Sequence, residues 1–348
     1  RQMCIRDSME SGVASEDSTY TCTGQWVFDD PTIDPISCWY HAGHGTETLV
    51  DGICNSCNPY MIWLGQKMGR HTFFNFFEAF GFTQRTGIDL PGEADSLYFS
   101  EDELNIVELA TSSFGQNFSI TPIQMITAIA AVANGGYLVQ PHVVDRMLDS
   151  DGNIVKTTDT SYKRQVISED VSKRMTAILQ KNATSESGKN GYVAGYRVAG
   201  KTGTSEKVAL YYQDLAEGND RGMQYVVSYG GYAPADDPQY ALLVFYDEPQ
   251  IGGASGGTQA GPIFAAIMEE VLPYLGVDPQ YTESEYENLS ATAPNVIGMT
   301  MAEAKSHLEE QGFSGTVVGD AEDDALVTVQ VPSPGASIPK EGMVALYT

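Results

Sequence analysis

The sequence predicts an α+β fold in two bodies, and three observations carry that reading. The middle of the chain reads as a succession of helices, among them an apolar run from Ile123 to Ala133. Consecutive strand-like stretches come next at Tyr196–Lys207, Tyr225–Ala233 and Tyr240–Asp247, the last two joined by the turn Ala235-Asp-Asp-Pro238, an order that suits an antiparallel block and not a parallel sheet. At 348 residues the chain exceeds one ordinary core, and a polar, acidic stretch at 279–293 sets off residues 294–348.

Residues 1–8, Arg1 to Ser8, show no periodicity and connect poorly with the residues after them. They are read as a non-native leader and set aside from the fold assignment. From Tyr20 to Gly45 the chain is loop-like, with Gly, Pro, Asp and paired aromatics. Thr46 to Gly69 has helical spacing through Leu49, Ile53, Met61, Leu64 and Met68, interrupted at Asn55-Ser-Cys-Asn-Pro59. Pro59 suits the first turn of a new helix, so Ser56-Cys57-Asn58 is expected between two helices. Phe73 to Phe80 is an aromatic helix stopped by Gly81, and Thr86 to Glu93 is an extended loop. Thr121 caps a helix whose first residue is Pro122 and whose stop is Gly135 or Gly136. Val139 to Ile154 reads as strand and turn with Asp151-Gly152 as the hairpin signal, and Ser168 to Lys181 as helix. Behind the antiparallel block, Gly252 to Gly261 is a glycine-rich loop and Pro262 to Leu275 a last helix. The expected domains are thus 9–278, a linker at 279–293, and a small module at 294–348 with one capped helix and strands near Thr316–Val318, Thr328–Val331 and Met343–Tyr347.

Composition narrows the function. A hydrophobic content of 42% against 19% charged residues fits a folded protein. No apolar run reaches the roughly 18 residues needed to span a bilayer. The net charge of −27 makes nucleic acid a poor partner, because phosphate neutralisation needs Lys and Arg, and disfavours an anionic membrane surface. Five cysteines are present. Cys22, Cys38, Cys54 and Cys57 raise a zinc reading, but Cys57 falls inside Ser56-Cys57-Asn58 and no thioredoxin-like pattern surrounds the C-x-x-C, so neither metal nor redox cofactor is expected. His41-Ala-Gly-His44 is read as structural, not as a metal pair.

The most informative stretch is Val198-Ala-Gly-Lys-Thr-Gly-Thr-Ser-Glu-Lys207, a strand that offers Lys201, Thr202, Gly203 and Thr204. Lys-Thr-Gly occurs by chance in many chains. Here Ser56-Cys57-Asn58 lies upstream, and Ser-x-Asn with Lys-Thr-Gly makes two of the three signatures of serine acyl-transferases of the penicillin-binding type. The third, Ser-x-x-Lys, matches only Ser337-Ile-Pro-Lys340, where Pro334 and Pro339 oppose the helix that would align the pair.

With Gly43-His-Gly-Thr46, Thr86-Gly-Ile-Asp-Leu-Pro-Gly-Glu93, Phe114-Gly-Gln116, Thr121-Pro122 and Gly231-Tyr-Ala-Pro234 added, residues 9–277 resemble the transpeptidase domain of a class B penicillin-binding protein. Residues 294–348 resemble a PASTA domain. The resemblance implies the penicillin-binding and serine β-lactamase fold, an antiparallel sheet with a helical subdomain. It implies acyl transfer from a D-alanyl-D-alanine stem peptide through an acyl-serine that β-lactams also form. In that scheme Ser56 relays protons, Asn58 holds the substrate amide or the catalytic lysine, and Lys201 draws the terminal carboxylate to Thr202 and Thr204. Gly203 lets the substrate backbone approach, and the Thr204 N–H is one oxyanion donor, whose loss in related systems costs roughly 3–4 kcal/mol of barrier.

The resemblance also places the Ser-x-x-Lys helix, a pedestal domain and a membrane anchor upstream of Met9. The chain is therefore expected to be an inactive fragment, with an over-wide, apolar-walled groove in place of the missing helix. Its full-length form is expected on the extracytoplasmic face of the membrane with a glycan polymerase and division or sporulation proteins. The alternative is a non-catalytic cell-wall-binding scaffold; a β-lactamase is disfavoured by the C-terminal module and by Ser-Cys-Asn. Cys22 and Cys38 are expected to bridge or nearly touch, a bridge contributing about 3 kcal/mol. Glu93 is read as a loop anchor, not a base.

Overall fold

A computed structural model describes residues 2–219, 221–250 and 253–348. The chain divides into two compact units, Arg1–Asp278 and Pro279–Thr348.

In the larger unit the elements run α1 (Gln2–Glu10), β1 (Tyr20–Cys22), β2 (Gln25–Trp26), β3 (Ile36–Ser37), β4 (Gly45–Glu47), α2 (Leu49–Cys54), α3 (Asn58–Ala79), α4 (Ile106–Ser113) and α5 (Pro122–Ala133). Strands β5 (Tyr137–Val139), β6 (Arg146–Leu148), β7 (Ile154–Thr157) and β8 (Tyr162–Gln165) lead to α6 (Glu169–Ala183). Then come β9 (Ala199–Glu206), α7 (Val208–Glu217), β10 (Tyr225–Ala233), β11 (Tyr240–Asp247) and α8 (Gly261–Tyr274). The sheet order is β11-β10-β9, antiparallel throughout, with Tyr229 opposite Thr202 and Gly230 opposite Lys201. Strand β9 is thus an outer strand. One apolar core joins α1, α3, α5 and α6 to Ala199 and Tyr232; a second joins Tyr229 and Val198 to Phe264, Met268 and Leu272 of α8.

Local chemistry explains the helix ends. Thr121 and Gln124 form a reciprocal capping box in front of Pro122, and the helix stops at Gly135 and Gly136, both left-handed. Ser168 caps α6. Helix α3 carries the aromatic stretch as well, with a backbone break at Gly69 (φ 76°) where two helices were expected. Glu93 anchors its loop as expected, accepting from the Thr86 and Gly87 N–H groups and from the Thr86 hydroxyl.

The N-terminal segment, set aside in the sequence reading, has structure of its own. Gln2–Glu10 is a helix, and six consecutive residues from Cys4 to Met9 are buried in the main core. Its buried stretch holds Arg6, Asp7 and Ser8 between Ile5 and Met9, which is why composition does not mark it as core. It packs against α3. The price is polar burial. Arg6 lies over the Phe80 ring and donates to Asp7 at 2.9 Å, while Arg6 Nη2 and Asp7 Oδ2 have no partner.

The smaller unit begins with structure where a linker was expected. Thr282 caps α9 (Glu283–Leu289) through a capping box with Glu285, and β12 (Ser290–Thr292) pairs with β15 (Ser337–Pro339). Helix α10 (Met301–Glu310), capped by Thr300, packs on the sheet formed by β13 (Ser314–Val317), β16 (Met343–Tyr347) and β14 (Val329–Val331). Leu308 and Phe313 are buried within this unit's own core.

Candidate active site

Helix α2 is opened by a capping box between Thr48 and Asp51 and closed by a left-handed residue. That residue is Ser56, at φ 50°. The Ser56 N–H donates to Ile53 O at 3.1 Å and the Cys57 N–H to Gly52 O at 3.0 Å, the paired closing bonds of a Schellman turn. Glycine is the usual occupant, since a Cβ there costs about 1 kcal/mol. Cys57 then caps α3 without a side-chain bond, and Asn58 and Pro59 form its first turn. Asn58 Nδ2 donates to Ser37 O at 3.3 Å.

Strand β9 brings the second motif to the same place. Lys201, 6% exposed, donates from Nζ to Ser56 Oγ at 2.5 Å and to Thr202 Oγ1 at 3.1 Å. The first bond spans 145 residues of sequence. Ser56, Lys201 and Thr202 therefore form one hydrogen-bonded chain, with Asn58 two residues beyond Ser56 at the start of α3. Thr204 is turned to another task, its Oγ1 accepting from the Gly256 N–H at 3.1 Å. Gly203 has a packing reason of its own: a Cβ there would come 2.5 Å from Ser228 Oγ. Within the glycine-rich loop, 256–260 forms a turn of π-helix against β9 and β10. Gly252 lies outside the described residues.

Three residues that support this site escape the motif reading. Asn182 is fully buried and donates from Nδ2 to Gly200 O at 2.7 Å, tying α6 to β9 beside Lys201. Its signal is present in the sequence, a polar residue on the apolar stripe Val171, Met175, Ile178, Leu179. Ser187 donates to Cys54 O at 2.6 Å, and Ser205 to Gln116 Oε1 at 3.1 Å, linking β9 to the Phe114-Gly-Gln116 segment. Neither carries a sequence pattern. Ser337 begins strand β15, so Ser337 and Lys340 have no helical alignment.

Next to Ser56 the structure gathers cysteines. All five thiols are unbridged. The expected Cys22–Cys38 approach is part of a larger group, in which one ligand atom each of Cys22, Cys38, His44 and Cys57 lies within 4.8 Å of the others. Cys54, the other half of the C-x-x-C, stands outside it. The hydrogen bond with Cys57 pulls the Cys38 thiol down to about 5 against the cost of burial; the same bond, burial and nearby Glu47 drive Cys57 up.

Comparison with known proteins gives the family and the fold. The family model for the penicillin-binding protein transpeptidase domain matches residues 7–269, and that for the PASTA domain residues 291–348. Stage V sporulation protein D of Bacillus subtilis is 35% identical over 318 residues, covering 90% of this chain and 47% of the relative. The chain thus spans about half the length of that curated relative. A peptidoglycan synthetase from Bifidobacterium adolescentis superposes with a TM-score of 0.71 at 25% identity, over 81% of this chain and 49% of that one. Penicillin-binding protein 3 of Mycobacterium tuberculosis, complexed with aztreonam, superposes with a TM-score of 0.69 at 25% identity, over 81% of this chain and 62% of that one. Among the described residues no helix is long and apolar enough to cross a membrane.

Proposed function

Because the chain belongs to the penicillin-binding protein transpeptidase family and carries a PASTA domain, we propose that it holds the Ser-x-Asn and Lys-Thr-Gly half of a D,D-transpeptidase site. The reaction is acyl transfer from a D-alanyl-D-alanine stem peptide to an amine, through an acyl-serine. The observation that carries this is the Lys201–Ser56 bond, which joins two distant motifs in one proton path.

With its oxygen accepting from the Lys201 ammonium, Ser56 has its own O–H to donate, the arrangement a relay needs to protonate a leaving amine. Lys201 supplies positive charge for the substrate's terminal carboxylate in a chain of net charge −27, and Thr202 stands in its contact shell. Asn58 is placed to hold the substrate amide or the catalytic lysine. As the last strand in the order β11-β10-β9, β9 lies at the sheet margin where an extended peptide would dock, the Thr204 N–H serving as an oxyanion donor. The nucleophile and its base are a Ser-x-x-Lys pair that the 1–278 unit does not contain. The 348 residues alone are therefore inactive, and the complete protein works at the outer face of the cell membrane on peptidoglycan, alongside a glycan polymerase and division or sporulation proteins. A family member complexed with aztreonam supports β-lactams as inhibitors.

A fluorescent penicillin is expected to leave no covalent label on the present chain and to label one extended upstream through a Ser-x-x-Lys helix. In the extended chain Lys201→Ala should slow labelling about a hundredfold or more. Stoichiometric labelling of the present chain would show that another serine is the nucleophile.

A further inference from the structure

We propose that Cys22, Cys38, His44 and Cys57 form a closed, four-coordinate zinc site. The ligands come from four separate places: the end of β1, the residue after β3, the residue before β4, and the cap of α3. The three cysteines are at most 2% exposed and the His44 side chain 8%.

The spacing fits the ion. Zinc–sulfur bonds of about 2.3 Å and zinc–nitrogen bonds of about 2.0 Å give tetrahedral edges of roughly 3.8 Å between sulfurs and 3.5 Å from sulfur to nitrogen. Cys38 Sγ lies 3.7 Å from His44 Nδ1, and no two ligand atoms of the group exceed 4.8 Å. Closing on a metal takes at most about 1 Å of movement.

Two glycines make the convergence possible. Gly24 and Gly43 both have positive φ; a Cβ on Gly24 would meet His41 O at 2.1 Å, and one on Gly43 would meet Cys22 O at 2.5 Å. The Cys22 and His44 loops therefore cross in a contact that no larger residue permits. Trp39 and Tyr40 pack at tilted angles against the His44 ring, with Trp39 Nε1 bonded to Asn55 O.

A second, independent observation lies at the edge of the cluster. Glu47 is 2% exposed and its Oε1 accepts from Asn55 Nδ2, but Oε2, 4.0 Å from His44 Nδ1, has no hydrogen-bond partner. His44 Nε2 is buried and also lacks one. A cation held by His44 Nδ1 and the three sulfurs would lie beside the unpaired Glu47 Oε2 and offset the cost of burying that carboxylate.

The donor set selects the metal. Three thiolates and an imidazole suit a borderline-soft ion such as zinc and not magnesium or calcium, which take oxygen ligands. Four protein ligands leave no open position, so the site is structural. It would pin Cys57, the middle residue of Ser56-Cys57-Asn58, to the loops around β1 and β3; any consequence for acyl transfer rests on the function proposed above, but metal binding does not.

The purified 348-residue chain is expected to contain one zinc per molecule by elemental analysis. Cobalt(II) in its place should show sulfur-to-metal charge-transfer absorption and the visible bands of a tetrahedral site. Cys38→Ser should abolish both signals, and Glu47→Gln should weaken zinc about 10–100-fold. His44→Cys should keep the metal as an all-thiolate site, which separates ligand loss from misfolding, and Cys4→Ser and Cys54→Ser should leave binding unchanged. A metal-free chain in which all five thiols titrate, a disulfide between any two of the four ligand positions, or binding unaffected by Cys38→Ser would overturn the assignment.

Discussion

Replacing Arg6 by leucine and Asp7 by alanine together is expected to stabilise the larger unit by about 1–4 kcal/mol. Both side chains are essentially fully buried, at 2% and 0% exposure. Their gains are one charge-assisted hydrogen bond, about 1.5–3 kcal/mol, and the guanidinium over Phe80, about 2 kcal/mol. Against these stand several kcal/mol of desolvation for each ion, with Arg6 Nη2 and Asp7 Oδ2 left unpartnered at about 1–3 kcal/mol apiece. The costs win. Arg6→Leu alone should instead destabilise by about 3–5 kcal/mol, because it strands the Asp7 carboxylate.

The same pair has a pH signature. Burial pushes the Asp7 carboxyl from 3.8 up to about 6, with Arg6 opposing. Between those values the folded state binds more protons than the unfolded one, so stability falls as pH rises from about 4 to 6, by about 3 kcal/mol in all. Urea unfolding followed by tryptophan fluorescence at pH 4.5 and pH 7 measures both effects. The double variant should lose the Asp7 contribution to the pH slope and melt roughly 2–8 °C higher at pH 7. A double variant less stable than the parent at pH 7, or one with an unchanged slope, would refute the reasoning.

Three further outcomes are expected. At position 56 glycine should give a protein about 1 kcal/mol more stable than alanine, the reverse of the usual order, because both lose the hydroxyl bonded to Lys201 but only alanine keeps the left-handed strain; paired denaturant titrations decide it. Gly200→Ala drives a Cβ to 2.6 Å from the Tyr229 ring and hydroxyl and should cost about 1–3 kcal/mol, read as a lowered denaturant midpoint. Residues 279–348 expressed alone should melt cooperatively by circular dichroism, and Leu308→Ala should remove about 2–5 kcal/mol from that transition; a fragment with no transition would show that the unit depends on the rest of the chain.

The legible parts of the fold are those whose causes are local. Strands β10 and β11 agree with their sequence boundaries because apolar residues fill both and a polar Asp-Asp-Pro turn divides them. Helix α5 announces itself through Thr121, Pro122 and Gln124. Helix α9 is open to the same reading, since Thr282-x-x-Glu285 is a capping box, but every residue around it is polar or exposed and composition alone says linker. Helix α7 begins at Lys207 with no capping side chain, so no start signal exists to be read. The short α4 has its signal in Asn105, which accepts from the Val107 and Glu108 N–H groups, but it lies after a long irregular stretch.

The site divides along the same line. Ser56 and Lys201 can be paired from the sequence because each sits in a short motif, and the fold joins them by a hydrogen bond. The cysteine and histidine cluster cannot, for a physical reason. Reading along the chain favours Cys54 with Cys57, the only C-x-x-C, and that spacing points to the wrong partner: Cys57 caps α3 and enters the cluster, and Cys54 remains in α2. Cys22, Cys38 and His44 reach Cys57 only because two loops cross at Gly24 and Gly43, a tertiary event with no periodicity. A glycine six residues or fewer from a cysteine or histidine carries little information by itself. Two such glycines whose missing Cβ atoms face each other's backbone are what turn four scattered ligands into one site, and that relation exists only in the fold.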